Sequence, residues 1–184
     1  HGYDLCKKEE ANHILGQGYF IRGLAYWAIA GVYGKGPIQT SSTSDGEIGS
    51  QEDLFKQALE DFSKASTLLP ESWASEEKGR VTKGGALGMM ARCNMQLAGI
   101  KSHRPWDSAN QDANAARQYW VAAKTNIEDI FRLGIYDLCD NWMDNFTEEH
   151  ENNIESLFEI NFKDGLINGN EVGNQRPKFL GLYL

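Results

Sequence analysis

The sequence predicts an all-α fold in which helix pairs stack in the manner of tetratricopeptide repeats. Four segments carry apolar residues at three- and four-residue steps, the spacing of a helix with a buried face. The second of these segments places Ala58, Phe62, Ala65 and Pro70 at offsets of four, seven and twelve. Those offsets match the second helix of a tetratricopeptide-type repeat, where small residues let paired helices interlock. We therefore expect degenerate helix pairs in a curved stack.

The first predicted helix covers residues 12–33 and is apolar on nearly every face, which predicts that it is buried. Its most apolar run, from Ile21 to Val32, is too short to span a membrane, because a span needs roughly 20 apolar residues. The Gly-Lys-Gly-Pro segment at 34–37 ends this helix, whereas a phosphate-binding loop would start one. We expect Arg22 to bond to carbonyls or a carboxylate in the packing rather than to form an anion site.

The next two helices have recognisable ends. The segment before them, 35–49, is rich in Gly, Ser and Thr and predicts an exposed loop. Ser50 is expected to cap the second helix and Pro70 to stop it, and Thr82 is expected to cap the third. The residues expected to face inward on these two helices are Phe55, Ala58, Leu59, Phe62, Ala65, Leu69, Ala86, Met90, Cys93 and Leu97.

The last part of the chain predicts one more helix and one short strand. The helix runs from about Ala113 to Leu133 and ends at Gly134, which suits a left-handed cap. A further loop, 100–111, precedes it. Near the C-terminal end, Phe158, Ile160 and Phe162 alternate with polar residues, and this period of two predicts a strand.

Composition limits the classes of function. With 184 residues and 41% hydrophobic content, the chain is long enough for one sizeable core. The formal net charge of −8, with 18 scattered basic residues, argues against a nucleic-acid partner. The three cysteines, Cys6, Cys93 and Cys139, lack metal-ligand spacing and cannot all pair, so we expect buried free thiols. The start of the chain has no secretory signal pattern, and we expect an internal piece of a longer protein.

No catalytic constellation is visible in the sequence. A Gly-x-Ser-x-Gly nucleophile motif and a dinucleotide-binding glycine motif are both missing, and the four histidines have no metal-binding spacing. Glu148, Glu149 and Glu151 suit a solvated turn better than the paired carboxylates of a glycoside hydrolase. We therefore expect no catalytic residues, no cofactor and no metal.

Two tryptophans are the candidates for ligand contact. Trp73 and Trp106 lie in polar loops, where an aromatic face is available to stack on a ligand, although such side chains also tuck back onto the domain. Trp27 and Trp120 lie on the stripes of predicted helices and are expected to be core residues.

Three blocks of the sequence occur in an order and spacing shared with one family of proteins. The first reads Gly-Gln-Gly-x-Phe-Ile-Arg-Gly at 16–23 and continues with Tyr-Gly-x-x-Pro at 33–37. The second is "ALEDFSKASTLLP" followed by Gly-Arg-x-Thr-Lys-Gly at 79–84, and the third comprises "YWVAAKTNIEDIFRLGIYDL" and "NNIESLFEINF". Together these blocks resemble the SusD/RagB family.

The resemblance implies a tetratricopeptide-like helical scaffold of the SusD-like fold. It further implies a non-enzymatic, surface-exposed lipoprotein of the outer membrane, which binds an oligo- or polysaccharide beside a TonB-dependent, SusC-like transporter. Residues 1–184 would be a single segment of such a domain, without its lipid-bearing N-terminal part and its C-terminal part. A peptide ligand remains open. Two alternatives also remain: a helical-repeat scaffold that binds a protein on its concave face, and an α-helical glycoside hydrolase.

Overall fold

The computed structural model of the chain is a stack of α-helices in which each helix packs against the next one in sequence. It describes residues 8–43, 45–102, 109, 111–161, 165–167 and 170–172. The helices are α1 (Lys8–Tyr33), α2 (Gln51–Leu68), α3 (Lys83–Lys101) and α4 (Ala113–Leu133). Two antiparallel hairpins accompany them, β1 (Lys35–Ile38) with β2 (Glu47–Ser50) and β3 (Gly165–Ile167) with β4 (Asn170–Val172). The predicted mostly α-helical class is confirmed.

The helix ends follow the predicted capping chemistry. Ser50 forms a capping box, since its Oγ accepts a hydrogen bond from the Asp53 amide at 3.3 Å and Asp53 Oδ2 accepts one from the Ser50 amide at 3.0 Å. Thr82 caps α3 by accepting from the Gly85 amide at 3.2 Å. Gly134 ends α4 with a φ of 67°, a left-handed conformation that glycine adopts without steric penalty.

The core lies where α1, α2 and α3 meet. Phe20 and Phe62 pack with their ring centroids 5.3 Å apart. Ala58 and Ala65 on α2 are fully buried, as the repeat-like spacing predicts. A Cβ atom built at Gly23 of α1 would lie 3.0 Å from the Phe62 ring, so this glycine allows α1 to approach α2 closely.

Arg22 joins α1 to α2 through a buried carboxylate. Its Nε donates to Asp61 Oδ2 at 2.8 Å and its Nη2 donates to Asp61 Oδ1 at 2.7 Å. The Asp61 side chain is 0% exposed, and that of Arg22 is 32% exposed. The hydrogen bond to Asp61 raises the pKa of the Arg22 guanidinium. The expected structural role of Arg22, with a carboxylate partner, is thus confirmed.

Helix α1 is buried on one face only, and the prediction that it is buried nearly all round is wrong. Its buried residues are Gly16, Phe20, Gly23, Tyr26 and Ala30. On the opposite face, Ile21 is 65% and Val32 is 74% exposed. The reason is that α2 and the β1–β2 hairpin cover one side of α1, while no described element covers the other. None of the described helices is long and apolar enough to cross a membrane.

The segment predicted as an exposed loop, 35–49, forms most of the β1–β2 hairpin. Lys35 pairs with Ser50 and Ile38 pairs with Glu47. The Tyr26 hydroxyl fixes the start of the turn, because it donates to the Gln39 carbonyl at 2.7 Å and accepts from the Gln39 amide at 2.9 Å. This anchor comes from α1, and the Gly- and Ser-rich composition of the segment does not reveal it.

The strand predicted at 158–162 is not found at its described positions. Phe158 packs edge-on against Phe20, with 4.9 Å between ring centroids, and Ile160 is exposed. The Leu157 carbonyl, just before Phe158, lies against Gly85 at the start of α3, so this backbone contacts a helix and is not part of either described sheet. Phe162 lies outside the described residues, and short strands occur a few residues later, in β3 and β4.

Small residues at the start of α3 make room for the segment that follows α4. A Cβ atom built at Gly84 would lie 2.3 Å from the Tyr136 hydroxyl oxygen. That hydroxyl is also 2.9 Å from Thr82 Oγ1, so Tyr136 is hydrogen-bonded to the helix cap. At Gly85, a Cβ atom would lie 2.9 Å from the Leu157 carbonyl oxygen. Tyr136 and Leu157 therefore pack on α3 at a distance that side chains at these glycines would prevent.

We expect Gly84→Ala to lower the free energy of unfolding by about 1–2 kcal/mol, because the added methyl group displaces Tyr136 and breaks its hydrogen bond to Thr82. Chemical denaturation measures the change. Gly18→Ala is the matched control, since Gly18 is an exposed glycine of α1 with nothing within 4 Å of an added Cβ. It should gain up to about 1 kcal/mol from helix propensity. Equal gains in the two variants would contradict the close packing.

Candidate functional site

A polar cleft lies between the segment that joins α2 to α3 and the segment that follows α4. Residues 71–82 form one wall and residues 152–159 form most of the other, and the enclosed volume is about 370 Å³. This volume falls within the ~300–1,000 Å³ typical of small-ligand pockets. We call it the Trp73 cleft; its walls include Trp73, Arg80, Asn152, Asn153, Ser156 and Glu159.

Trp73 lines the cleft while remaining attached to the helical core. Its indole Nε1 donates a hydrogen bond to the Val81 carbonyl at 2.8 Å. The His13 ring packs edge-on against it at a centroid distance of 5.1 Å, and the Arg80 guanidinium lies over the indole at 5.4 Å from the ring centroid. Trp73 is half-buried. A ligand that stacks on the indole face covered by Arg80 would therefore have to displace that side chain.

The opposite wall presents amides and a carboxylate held by backbone hydrogen bonds. Asn152 has a φ of 54°, which asparagine tolerates better than most residues. Its amide donates to Glu159 Oε2 at 3.0 Å, and its side-chain Nδ2 donates to Asn161 Oδ1 at 3.3 Å. Across the cleft, Gly79 has a φ of 97°, and a Cβ atom there would lie 3.3 Å from Asn161 Oδ1. The two walls thus meet closely at Gly79.

Two basic groups around the cleft are in ion pairs, while Lys78, which also lines it, has no ion pair among the described residues. Arg80 Nη2 lies 3.2 Å from Glu77 Oε1, and Lys83 Nζ lies 3.7 Å from Glu71 Oε1. All four side chains are exposed, so the pairs contribute little to stability. They place Arg80 and Lys83 beside carboxylates. The cleft therefore offers an aromatic ring, amides, hydroxyls and the ammonium group of Lys78.

A second, apolar groove lies between α1, α3, α4 and the segment after α4. It has a volume of about 920 Å³ and is lined by Leu24, Trp27, Met89, Met95, Phe131 and Ile160, among others. Arg92 lies over the Trp27 ring at 5.0 Å from the centroid. Trp27 Nε1 is buried and has no hydrogen-bond partner among the described residues. On the rim, hydrogen bonds from the Asn145 side chain and the Cys139 amide lower the pKa of Glu155.

The sequence matches a family model of SusD-like proteins, described as "Starch-binding associating with outer membrane", over residues 4–95. The chain belongs to the SusD-like family. The match covers α1, the β1–β2 hairpin, α2, the Trp73 segment and most of α3. The description of the family associates it with the outer membrane. The resemblance to this family that the three sequence blocks indicate is confirmed.

Relatives and solved structures agree with this family and are much longer than the chain. A SusD-like protein of Formosa agariphila is 24% identical over 166 residues, which is 88% of this chain and 28% of the relative. A SusD-like protein from Bacteroides fragilis has a TM-score of 0.69 at 22% identity, over 90% of this chain and 30% of that one. A SusD-like carbohydrate binding protein from the same organism has a TM-score of 0.61 at 19% identity, over 76% and 25%. The structures support the SusD-like fold, and the chain spans less than a third of these relatives.

Within this SusD-like chain, the structure tests some of the predicted site residues. Trp73 lies in the cleft, and its contact with a ligand stays a prediction. Trp106 lies outside the described residues. Trp120 was predicted to be a core residue but is 48% exposed on α4, because no described element packs on that face. Trp27 is half-buried and lines the apolar groove.

The remaining candidates of the sequence show no reactive arrangement in the part of the chain that the structure describes. That part contains no cluster of His, Cys, Asp or Glu suited to hold a metal ion. Glu149 and Glu151 are exposed, as expected for a solvated turn. Cys93 is a buried free thiol whose pKa burial raises to about 12, which makes it inert at neutral pH. Cys139 is free but only half-buried, contrary to the prediction, and Cys6 lies outside the described residues.

Proposed function

We propose that this SusD-like chain forms part of the glycan-binding component of an outer-membrane uptake complex. The observation that carries the proposal is the match of residues 4–95 to a family described as starch-binding and associated with the outer membrane. One structural relative is named as a carbohydrate binding protein, which is consistent with the same role. The ligand would be an oligo- or polysaccharide, and the protein would hold it without changing it.

The composition of the Trp73 cleft supports this role. Ligand pockets of proteins combine aromatic surface with a few polar groups that fix the orientation of the ligand. In the cleft, the Trp73 indole is the aromatic surface, and Asn152 and Ser156 are polar groups on the facing wall. Sugar rings present both an apolar face and hydroxyl groups, so this combination suits them. We propose Trp73 as a contact residue, and Trp106 as a second one.

A binding role without catalysis also agrees with the carboxylates of the cleft. A glycoside hydrolase needs one carboxylic acid to protonate the leaving group and a second carboxylate across the sugar. Glu159 accepts hydrogen bonds from the Asn152 amide at 3.0 Å and from Asn161 Nδ2 at 3.5 Å. Both donors bind Oε2, so this carboxylate is engaged in the hydrogen-bond network of its own wall. We therefore propose that the protein is not an enzyme.

The partner and anchoring in this proposal come from the family. A TonB-dependent, SusC-like transporter would receive the glycan, and a lipid anchor would hold the complete protein at the cell surface. Residues 1–184 would be one segment of a longer SusD-like domain. In agreement with this, the chain covers only 28% and 30% of the length of two relatives. The apolar groove favours a second candidate, a scaffold that binds another protein, because its apolar lining suits an apolar segment of a partner.

Calorimetry with starch-derived oligosaccharides tests the proposal. We expect Trp73→Ala to weaken binding at least tenfold, because the cleft loses its aromatic surface, and we expect no release of reducing ends from any glycan tested. Trp142→Ala is the matched control, since Trp142 is exposed and packs on Phe146 outside the cleft. Circular dichroism must show that both variants are folded, because Trp73 also packs on the core.

Three outcomes would contradict the proposal. If the chain binds none of the glycans on a broad array, the glycan-binding role of this chain is excluded. Turnover of a polysaccharide would exclude the non-enzymatic role. Retention of full affinity by a folded Trp73→Ala variant would exclude the cleft as the place of binding.

A further inference from the structure

The apolar groove leaves several large side chains open to solvent. Phe131 on α4 is 73% exposed, Leu138 after it is 76% exposed and Ile160 is 63% exposed. Met95 and Ile127 line the same groove and are also exposed. These side chains belong to α3, α4 and the segment after α4, so three parts of the chain build one surface. Contact with water is unfavourable for such surface, and a second apolar surface packed on it would be stabilising.

The charged side chains of the groove already have contacts within the chain. Among the described residues of the lining they are Arg92, Asp137 and Glu155. Arg92 lies over the Trp27 ring at 5.0 Å from its centroid. Asp137 Oδ1 accepts a hydrogen bond from the Leu138 amide at 2.8 Å, and Glu155 accepts two hydrogen bonds on the rim. The groove therefore presents mainly apolar surface, which suits an apolar segment of protein better than the hydroxyl groups of a sugar.

The lengths of the relatives indicate where such a segment comes from. The chain covers 28% of the Formosa agariphila relative, and 30% and 31% of two solved structures of the family. If residues 1–184 are one segment of a protein of that size, most of the protein lies outside them. Because Ile160 lines the groove, the part of the chain that follows it starts at the groove itself. Elements that are consecutive in sequence are usually adjacent in space, so the rest of the protein is the nearest source of a cover.

The apolar groove and the Trp73 cleft share a wall. Tyr136, Leu157 and Phe158 line both cavities. Glu159, which follows Phe158 directly, lines the cleft, and Ile160 lines the groove. A segment seated in the groove would therefore contact the side of this wall that faces away from the cleft. Such a contact would limit the movement of Glu159 and of the polar groups beside it.

We infer that the apolar groove is an internal interface of the complete SusD-like protein, covered by the part outside residues 1–184, and that this cover positions the shared wall of the Trp73 cleft. The cover rests on the proposal that residues 1–184 are one segment of a longer protein, and the coupling to the cleft rests on the proposed glycan-binding function. A covered groove is closed to other proteins and gives no support to a partner-binding scaffold.

Labelling of Leu138→Cys in the complete protein tests the cover. We expect a maleimide to react at this position at least tenfold more slowly in the folded protein than in denaturant, as read by peptide mass spectrometry. Ser63→Cys is the matched control, since Ser63 is exposed on the polar face of α2, and its protection should be less than threefold. Circular dichroism must show that both variants are folded. Equal rates at the two positions in the folded protein would overturn the inference.

A photo-cross-linker identifies what covers the groove. Phe131→p-benzoylphenylalanine places the reactive ring at an exposed position that lines the groove and not the Trp73 cleft. In the purified complete protein we expect a cross-link, within one molecule, to a peptide outside residues 1–184. A cross-link to a second copy, or only to peptides inside residues 1–184, would overturn the inference.

A glycan that binds the complete protein tests the coupling to the cleft. Coupling between two sites is reciprocal, so a ligand that needs the positioned wall must also stabilise the cover. At saturation it should slow the labelling of Leu138→Cys at least threefold further and leave Ser63→Cys unchanged. An unchanged rate at position 138 would contradict the coupling. If no glycan binds, the glycan-binding function and the coupling both fail, while the labelling without glycan still decides whether the groove is covered.

Discussion

Arg22→Met is expected to lower the free energy of unfolding by about 3–5 kcal/mol, because it leaves the buried Asp61 carboxylate without its counter-charge. Methionine keeps the volume of the arginine stem but has no group to replace the two hydrogen bonds at 2.7 and 2.8 Å. The remaining side-chain donor to Asp61, Gln57 Nε2 at 3.3 Å, is neutral and distant. Chemical denaturation monitored by circular dichroism measures the loss.

Two further variants show whether the pair is the cause. Arg132→Met removes an arginine whose ion pairs on α4 are exposed, and it should change stability far less. The double variant Arg22→Met with Asp61→Leu should recover much of the loss, because an apolar pair needs no counter-charge. A loss in Arg22→Met no larger than that in Arg132→Met would contradict the coupling of α1 to α2 through Asp61.

The same variant separates a structural role of Arg22 from a ligand-binding one. The guanidinium faces Asp61 and lies on α1, whereas the Trp73 cleft is built from residues 71–82 and 152–159. Glycan affinity of the folded fraction of Arg22→Met should therefore stay near that of the unmodified chain. Intact stability with abolished binding would reverse the assignment and make α1 a ligand site.

The helices were predictable because their signals are local in sequence. Ser50, Thr82 and Gly134 cap backbone groups within about one helical turn, so each capping residue and the groups it caps are close together in the sequence. The close packing of α2 against its neighbouring helix could also be predicted, because the small residues Ala58 and Ala65 flank Phe62 at a recognisable spacing. Local capping and a periodic stripe were sufficient for this part of the fold.

Features that depend on distant contacts were missed. The β1–β2 hairpin is anchored by Tyr26, thirteen residues before Gln39, and its composition alone reads as a loop. Asp61 is 39 residues from Arg22, and only its place in the apolar stripe of α2, between Ala58 and Ala65, signals that it is buried. A charged residue in such a stripe predicts a counter-charge on the facing helix.

The candidate site was predicted in part for the same reason. Trp73 could be predicted as a contact residue because it lies in a polar loop. The opposite wall, however, includes Asn152 and Glu159, which follow α4 in the chain and lie at the cleft only because α3 and α4 pack together. No sequence pattern links these segments. Arg80 over the Trp73 ring could not be foreseen either, because residues seven apart outside a helix have no fixed spatial relation.

Ala65→Trp is expected to lower the free energy of unfolding by about 3 kcal/mol, because the helix interface has no space for an indole ring. Ala65 is 0% exposed in the core cluster, and its carbonyl accepts from the Leu69 amide at the end of α2. A larger side chain must push α2 away from its neighbours or distort that end. Thermal unfolding followed by far-UV circular dichroism measures the change.

The control for this variant is Ala25→Trp, which makes the same substitution at an exposed position of α1. It carries the same difference in helix propensity, so the contrast between the two variants isolates the packing at Ala65. The repeat-like spacing of Ala58, Phe62 and Ala65 requires that contrast, since it assigns small residues to the places where helices touch. Equal melting temperatures in the two variants would mean that α2 can move away without loss and that the interlocked pair is not what holds this SusD-like scaffold together.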